Sequence, residues 1–220
     1  MNLDEKIALL ERARRQKEKE EREQSEREKE KAPEKKLTLE EALDGIMAGK
    51  MRLENGELFE FETREYSGGH IPLVVFKSFY QASKEDQEGI IYVNHTHEVS
   101  QIISWPRERI KPMSLNQWAN MLVNGMAANR MHARIVKKKQ LDHVEYICFD
   151  VPTGKGWLYN IVFRMRGKEE QLTGNYNCMK EEQDTYGIFL EAMVVALNNC
   201  LTDREGGGLS GEHGKEGRSE

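Results

Sequence analysis

The sequence predicts an α+β domain, an antiparallel β-sheet with helices packed on its faces, preceded by a charged N-terminal arm that is helical or disordered. Eight strand-like segments between residues 58 and 179 are separated mostly by short turns, and strands joined by short turns pair antiparallel. Two segments with helical periodicity, 114–130 and 181–200, each need an apolar surface to cover. The economical arrangement places both helices on the sheet.

Charge is distributed unevenly along the 220 residues. Residues 1–36 hold 12 basic and 11 acidic side chains, and the remainder holds 21 basic and 27 acidic ones. Nucleic-acid binding draws its affinity mainly from Lys and Arg on phosphates, so an acidic body predicts no nucleic-acid partner. No apolar run approaches the roughly 20 residues that cross a bilayer, which predicts no membrane insertion.

Cysteine usage points to a reducing compartment. Cys148, Cys178 and Cys200 are odd in number, far apart and without a CxxC pair, so a disulfide framework is not expected. The N-terminus lacks the apolar region of a secretory signal, because Glu11 and Arg12 interrupt "IALL". We expect a soluble, cytoplasmic protein.

The arm, residues 1–36, has one short apolar stripe formed by Leu3, Ile7 and Leu10. Beyond it the segment is almost purely charged, with Glu-before-cation pairs at i,i+4 that support an isolated helix. A sustained coiled coil needs apolar a and d positions over several heptads, and these stop after Leu10. We expect a solvated helix or disorder, with the stripe able to dock on a partner or to assemble oligomers.

Residues 37–56 predict a short helix and a hairpin. Thr38 with Glu41 forms a capping box signature, and Gly49 can close the helix. Asn55-Gly56 between alternating residues predicts a type I′ hairpin turn.

Residues 57–201 form the expected sandwich domain, and residues 202–220 a disordered Gly-rich tail. In the second half of the domain Leu115, Trp118, Leu122 and Met126 share one helical face after a Ser114 N-cap. The last helix carries the cleanest apolar stripe of the chain. The strands are expected at 58–66, 71–76, 90–96, 99–105, 133–141, 143–151, 156–166 and 170–179.

The order of these elements resembles the PsbP-like α/β/α sandwich family, which includes Mog-like proteins and the bacterial Eag-type chaperones of type VI secretion effectors. Three passages carry the resemblance: Ile71-Pro72, the helix start at Ser114-Leu115, and "NYNC" at 175–178 before a Tyr-anchored last helix. The resemblance covers about residues 57–200. It implies a binding scaffold without known catalytic residues, and we assign no catalytic residue and no cofactor.

His95 and His97, in "HTH", are candidate metal ligands, because residues two apart on a strand face the same side. A zinc site needs a third protein ligand, for which His70, His132, His143, Cys148 and Cys178 are candidates without a recognisable spacing. The alternative interpretation is a strand end that carries polar residues. A hydrolytic enzyme centred on the same pair is the catalytic version of this hypothesis.

Other chemistry-bearing residues have ordinary interpretations. Cys148, in "YICFDV", is expected to be a small buried residue, although either it or Cys178 beside a histidine could act as a nucleophile. The basic run of Lys137, Lys138 and Lys139 alternates between two faces, which is typical of a lysine-protected edge strand. The loops "GGH" and "TGKG" fit neither nucleotide-binding glycine pattern.

We therefore expect a non-catalytic, bacterial-type protein-binding module, adaptor or chaperone-like, that binds a protein or peptide through its sheet face or a helix groove. Trp105 and Trp157, with the stripe of the arm, are candidate partner-binding residues. The alternatives are the metal-binding or hydrolytic protein and an oligomeric structural component assembled through residues 1–36.

Overall fold

The computed structural model describes residues 36–66, 71–105, 112–165 and 172–207. From Leu37 onward the described residues belong to one compact unit, so the helix and hairpin of 37–56 belong to the same unit as the rest of the domain. The expectations for Leu3, Ile7, Leu10 and His70 lie outside the described residues, as does most of the tail.

The described elements alternate short strands with three helices, as the sequence predicts for an α+β domain. In chain order they are α1 (Leu39–Met47), β1 (Lys50–Arg52), β2 (Leu58–Tyr66), β3 (Ile71–Phe76), β4 (Ala82–Glu85), β5 (Gly89–Asn94), β6 (Val99–Ser104), α2 (Leu115–Ala128), β7 (Arg134–Gln140), β8 (Val144–Thr153), β9 (Gly156–Met165), β10 (Thr173–Met179) and α3 (Ile188–Gly207).

Two antiparallel sheets are formed. One has three strands in the order β1-β2-β3, and the other has seven in the order β4-β5-β6-β10-β9-β8-β7. Every strand pair is antiparallel. We call the face of the large sheet that packs on α3 the inner face and the opposite one the outer face.

The main core lies between the inner face, α3, α1 and the small sheet. Phe189 of α3 contacts Phe59 and Phe61 of β2, with ring centroids 4.7 and 5.3 Å apart. A second, smaller core joins α2 to the outer face through Trp118, Ile147 and Phe149. Helices therefore pack on both faces of the large sheet, which confirms the predicted fold class.

Both predicted N-caps are present. Thr38 and Ser114 accept a hydrogen bond from the N3 backbone amide, and Glu41 and Gln117 reach back to the N-cap amide. Each box satisfies two amides that have no partner within the helix. Leu115, Trp118, Leu122 and Met126 all pack on the outer face.

Three local predictions were wrong. The hairpin after β1 is not type I′: Gly56 alone has a positive φ, of 90°, and Gly56 N donates to the Leu53 carbonyl. This is the type I turn followed by a left-handed glycine. The strand β4 was missed. The helix α3 continues to Gly207, past the predicted helix end at 200.

The last helix also differs from a surface amphipathic helix. Its start is irregular, with a 3₁₀ turn at Lys180–Glu182 and a π turn at Gln183–Gly187. Ala192, Ala196 and Glu191 are buried together with the predicted apolar stripe, because α3 is enclosed by the large sheet and, opposite it, by the small sheet and α1.

Candidate functional site: an open sheet face beside a helix

The outer face of the large sheet is only partly covered. Helix α2 packs on β8 and β9 through Trp118, Ala119, Ile147, Phe149 and Val151. On β5 and β6 the outer positions stay partly accessible: Ile91 is exposed, and Val93, Ser100, Ile102 and Ser104 are half-buried. We call the uncovered part, the outer positions of β5, β6 and β10, the open face.

Strand register puts the side chains of the open face into rows that run across the strands. Ile91 pairs with Ile102, Ile102 with Asn175, and Asn175 with Val162. Val162 in turn pairs with Ile147, which lies under α2. One row therefore runs from the exposed Ile91, on the strand next to the sheet edge, to the residues buried under α2.

The rows on either side combine polar residues with a glycine or a valine. One contains Gly89, Ser104 and Thr173, and the other contains Val93, Ser100 and Asn177. A Cβ added to Gly89 would lie 2.3 Å from the Ile103 carbonyl oxygen, so β5 can pair with β6 here only with glycine.

The open face carries no charge. None of its outer side chains is Asp, Glu, Lys or Arg, although such residues make up 32% of the chain. The nearest cation at its free edge is Lys84 of β4, which pairs with Ile91 and whose side chain is well exposed. An uncharged centre with a charged border is the composition of protein-binding surfaces.

Arg164 fixes α2 at the border of the open face. Its guanidinium carbon lies 4.5 Å from the centroid of the Trp118 ring, and Nη2 donates to the carbonyl of Met113, 2.8 Å away. The same guanidinium is paired with Glu145. Arg164 and Glu145 are both almost fully buried, so the pair, rather than solvent, holds the first turn of α2.

A cavity of about 260 Å³ lies where α2 meets the open face. Trp118 and Leu122 form its helical wall, while Ile102, Val162 and Asn175 contribute from the sheet. A cavity of about 150 Å³ lined by apolar side chains is enough to bind benzene. This one has room for a single large side chain or a small organic group.

Asn175 lines the cavity together with two other polar residues, Ser104 and Thr173. Its Oδ1 is buried, and among the described residues it is the one buried side-chain nitrogen or oxygen that has no hydrogen-bond partner. Burying such an acceptor without a partner costs about 1–3 kcal/mol. Both neighbours across the row, Ile102 and Val162, are aliphatic and offer no side-chain donor.

The structure corrects the strand assignment on which the metal hypothesis was based. Strand β5 ends at Asn94, and His95 and His97 lie in the turn that follows. Asn94 Oδ1 accepts hydrogen bonds from the amides of Thr96 and His97, which is the local pairing that Asn offers a turn. The two imidazoles are therefore not neighbours on one strand face.

His97 has partners within the fold. Its ring stacks on Phe79 at 5.6 Å and 21°, and Nδ1 shares a hydrogen bond of 2.9 Å with the Tyr186 hydroxyl. Burial raises the pKa of Tyr186. Within 36–66, 71–105, 112–165 and 172–207, no group of three His, Cys, Asp or Glu side chains is placed to hold a metal ion.

The candidate nucleophiles are buried. Cys148 and Cys178 are fully buried on the inner face, and burial raises the pKa of each thiol from 9.0 to about 12. A thiol with a raised pKa is a poor nucleophile because the thiolate is the reactive form. His143 donates its backbone amide to Asn198 Oδ1 at 2.9 Å.

The lysines of β7 point to different sides, as predicted for an edge strand. Lys137 binds both carboxylate oxygens of the buried Glu191, at 2.6 and 2.8 Å. Lys138 instead donates to Asn116 of α2 at 2.7 Å. Strand β7 is the edge of the large sheet, so the lysines divide between its two faces.

The two tryptophan candidates differ in exposure. Trp105 is half-buried, stacks on Tyr66 and donates to the carbonyl of Gln87 at 2.9 Å. Trp157 is 42% exposed and lies beside Arg134, with 5.5 Å between the guanidinium carbon and the ring centroid. Neither lines the cavity, and their role in partner binding stays a prediction.

Sequence reasoning missed the open face. The residues that form it, among them Ile91, Ile102 and Asn175, read as ordinary half-buried strands. The available signal was the combination of aliphatic, Ser, Thr and Asn residues at alternate positions without a charge, in a chain that is otherwise rich in charge.

No described helix is long and apolar enough to span a membrane. Comparison with protein-family models gives no match, and comparison with curated proteins gives none either. Among solved structures, the chain is similar to the solution structure of cyanobacterial PsbP (CyanoP) from Synechocystis sp. PCC 6803. The identity is 9% and the TM-score is 0.49, over 62% of this chain and 90% of that one. The expected likeness to Mog-like and Eag-type proteins stays a prediction.

Proposed function

We propose that this chain is a non-catalytic protein-binding module, adaptor or chaperone-like, which holds an uncharged segment of a partner protein on the open face beside α2. The observation that carries the proposal is a sheet face without charged side chains that stays partly exposed next to a helix. A monomeric soluble domain ordinarily covers or charges such a surface.

The composition of the open face favours a polypeptide ligand. Ile91, Val93 and Ile102 offer apolar contact, and Ile91 is 39% exposed. Ser100, Ser104 and Thr173 place hydroxyl groups between them, and a hydroxyl can both donate and accept a hydrogen bond. This mixture suits the amide groups and apolar side chains of a peptide better than it suits an ion.

The surroundings of the open face favour protein over nucleic acid. Phosphate binding needs cations, and the lysines of β7 lie at the opposite edge of the sheet, where Lys137 is paired with Glu191. The proposal also includes a reducing, cytoplasmic compartment, because Cys148, Cys178 and Cys200 are all free thiols.

The test is a selection of short peptides from a display library on the purified full-length chain, followed by affinity measurement with a labelled peptide. We expect selected sequences to be depleted in Asp, Glu, Lys and Arg. The variant Ile102→Glu should bind them at least about tenfold more weakly, because an unpaired carboxylate on an apolar surface is costly to desolvate.

A matched control is Val136→Glu, which makes a similar change on β7, where Val136 is 45% exposed. It should leave the affinity unchanged. Ser100→Lys supplies a second change on the open face at a position that needs no apolar packing. If both open-face variants keep their circular dichroism spectrum and bind as the unaltered chain does, the proposal is wrong.

A further inference from the structure

We propose that the cavity between α2 and the sheet binds one residue of the partner, namely a branched aliphatic side chain together with the peptide group next to it. Asn175 recognises the N–H of that peptide group. This inference rests on the proposed function, since it names the part of the partner that the pocket binds.

Size is the first argument. The cavity of about 260 Å³ is below the range of roughly 300–1,000 Å³ that is usual for drug-sized ligands and cofactors. It exceeds the 150 Å³ that suffices for a benzene ring. One aliphatic side chain with its adjoining peptide group is the size of ligand that matches it.

The residues that line the cavity determine which apolar group it can bind. Trp118, Leu122, Ile102 and Val162 form the apolar part of the lining, Ser104 and Thr173 add hydroxyl groups, and none of these side chains carries a charge. A charged ligand group would lose its hydration there without a counter-ion. The nearest charged group, Arg164, is engaged by Glu145, the Met113 carbonyl and the Trp118 ring.

Asn175 determines which polar group of the ligand is recognised. Its side chain lies on the outer face between Ile102 and Val162, and Oδ1 accepts no hydrogen bond from the described residues. The proposed contact requires the amide to turn until Oδ1 faces the cavity, which the broad terminal torsion of Asn permits. A ligand N–H that donates there removes the cost of the unpaired acceptor.

A peptide group provides that N–H together with a carbonyl. Once the Asn175 amide has turned, its Oδ1 accepts from the ligand and its Nδ2 remains free to donate to the ligand carbonyl. A hydroxyl could donate as well, but an ester or ether could not. Discrimination between an amide and its ester is therefore the signature of the site.

The experiment uses two small probes, N-isobutylacetamide and isobutyl acetate, which differ only by N–H against O. Each is titrated into the full-length chain, and binding is followed by NMR on the indole N–H of Trp118 and the methyl groups of Val162. We expect the amide to bind about fivefold more tightly than the ester, the factor that one neutral hydrogen bond supplies.

Two variants assign the preference to Asn175. Asn175→Leu should bind both probes equally. Asn177→Leu changes the same residue type on the same face of β10, at a position that pairs with Ser100 and does not line the cavity, and it should keep the preference. The Val136 methyl signals should stay unchanged throughout.

If the unaltered chain binds the amide and the ester equally well, the role assigned to Asn175 is wrong. The same conclusion follows if Asn175→Leu still binds the amide more tightly than the ester. Absence of any shift at Trp118 and Val162 at saturating probe overturns the pocket itself. None of these results depends on the selected peptides, so failure of the pocket is distinguishable from failure of the open face as a binding surface.

Discussion

The guanidinium group of Arg164, on β9, lies over the indole ring of Trp118, on α2, with 4.5 Å between its central carbon and the ring centroid. This contact joins the only described helix of the outer face to the sheet. Because the guanidinium also bonds the Met113 carbonyl, it fixes both the start of the helix and its first turn. The position of α2 decides how much of the sheet stays open.

Removing the Arg164 charge should destabilise the domain strongly. In Arg164→Gln the buried carboxylate of Glu145 loses its counter-ion, and breaking a buried pair in this way costs about 3–5 kcal/mol. Urea unfolding followed by tryptophan fluorescence measures the change in the free energy of unfolding. Lys84→Gln is the control, since its exposed pair with Asp86, at 3.9 Å, should be worth less than about 1 kcal/mol. Equal midpoints for the two variants would refute this role of Arg164.

Two glycines should respond oppositely to alanine. A Cβ at Gly125, within α2, meets nothing within 4 Å, so Gly125→Ala should stabilise the chain by about 0.5–1 kcal/mol. A Cβ at Gly174 would lie 2.2 Å from the Phe163 ring, and Gly174→Ala should destabilise by about 1–3 kcal/mol. Thermal unfolding of both variants checks the signs, and a neutral Gly174→Ala would contradict the packing described for β9 and β10.

Stability should fall above about pH 9. Burial raises the pKa of Cys148 and of Cys178 from 9.0 to about 12, so over this range the folded chain keeps protons that the unfolded chain releases. The unfolded state then binds fewer protons, and the free energy of unfolding decreases as pH rises, by up to about 1.4 kcal/mol per pH unit for each thiol.

Buried tyrosines act in the same direction at higher pH, because burial raises the pKa of Tyr146, Tyr159 and Tyr176 above 10. Urea midpoints at several pH values between 8 and 10.5 measure the slope. The double variant Cys148→Ala/Cys178→Ala should show a shallower decline than the unaltered chain. An identical slope would mean that the thiols do not carry the effect.

Peptide binding should be nearly independent of salt. The open face holds no charged side chain, and salt screens interactions between charges. We expect the dissociation constant of a selected peptide to change less than about twofold between about 50 and 500 mM NaCl. A steep linear loss of affinity with the logarithm of salt would instead indicate counterion release from a charged ligand.

Much of the fold follows from local patterns. The predicted bounds of β2 and β3 agree with the structure, because alternation in "LFEFETREY" and the continuous apolar run "IPLVVF" are strong strand signals. Strand β4, "ASKE", has exposed residues on both faces. Its sequence therefore shows no alternation of apolar and polar residues, and its extended conformation depends on hydrogen bonding to β5.

Tertiary contacts decided the features that the patterns could not. The apolar stripe of α3 predicted one buried side, but residues such as Ala196 and Glu191 are buried too, since Glu191 has Lys137 and Tyr146 as partners from other elements. The open face was hidden for a related reason. A residue such as Ile102 has the same sequence signal whether a helix covers it or not.

The metal hypothesis shows the same limit. Alternation would have placed His95 and His97 on one face of a strand, but Asn94 ends β5 by capping the turn with its own side chain. Tyr186 then engages His97 from a segment 89 residues away. Neither contact could be inferred from spacing within "NHTH".

Binding of the partner on the open face can be followed by NMR of isoleucine and valine methyl groups. When a selected peptide is titrated into the full-length chain, we expect the methyl signals of Ile91, Ile102 and Val162 to shift, while those of Ile135 and Val136 on β7 stay in place. Shifts confined to β7, or to residues of the inner face, would contradict it.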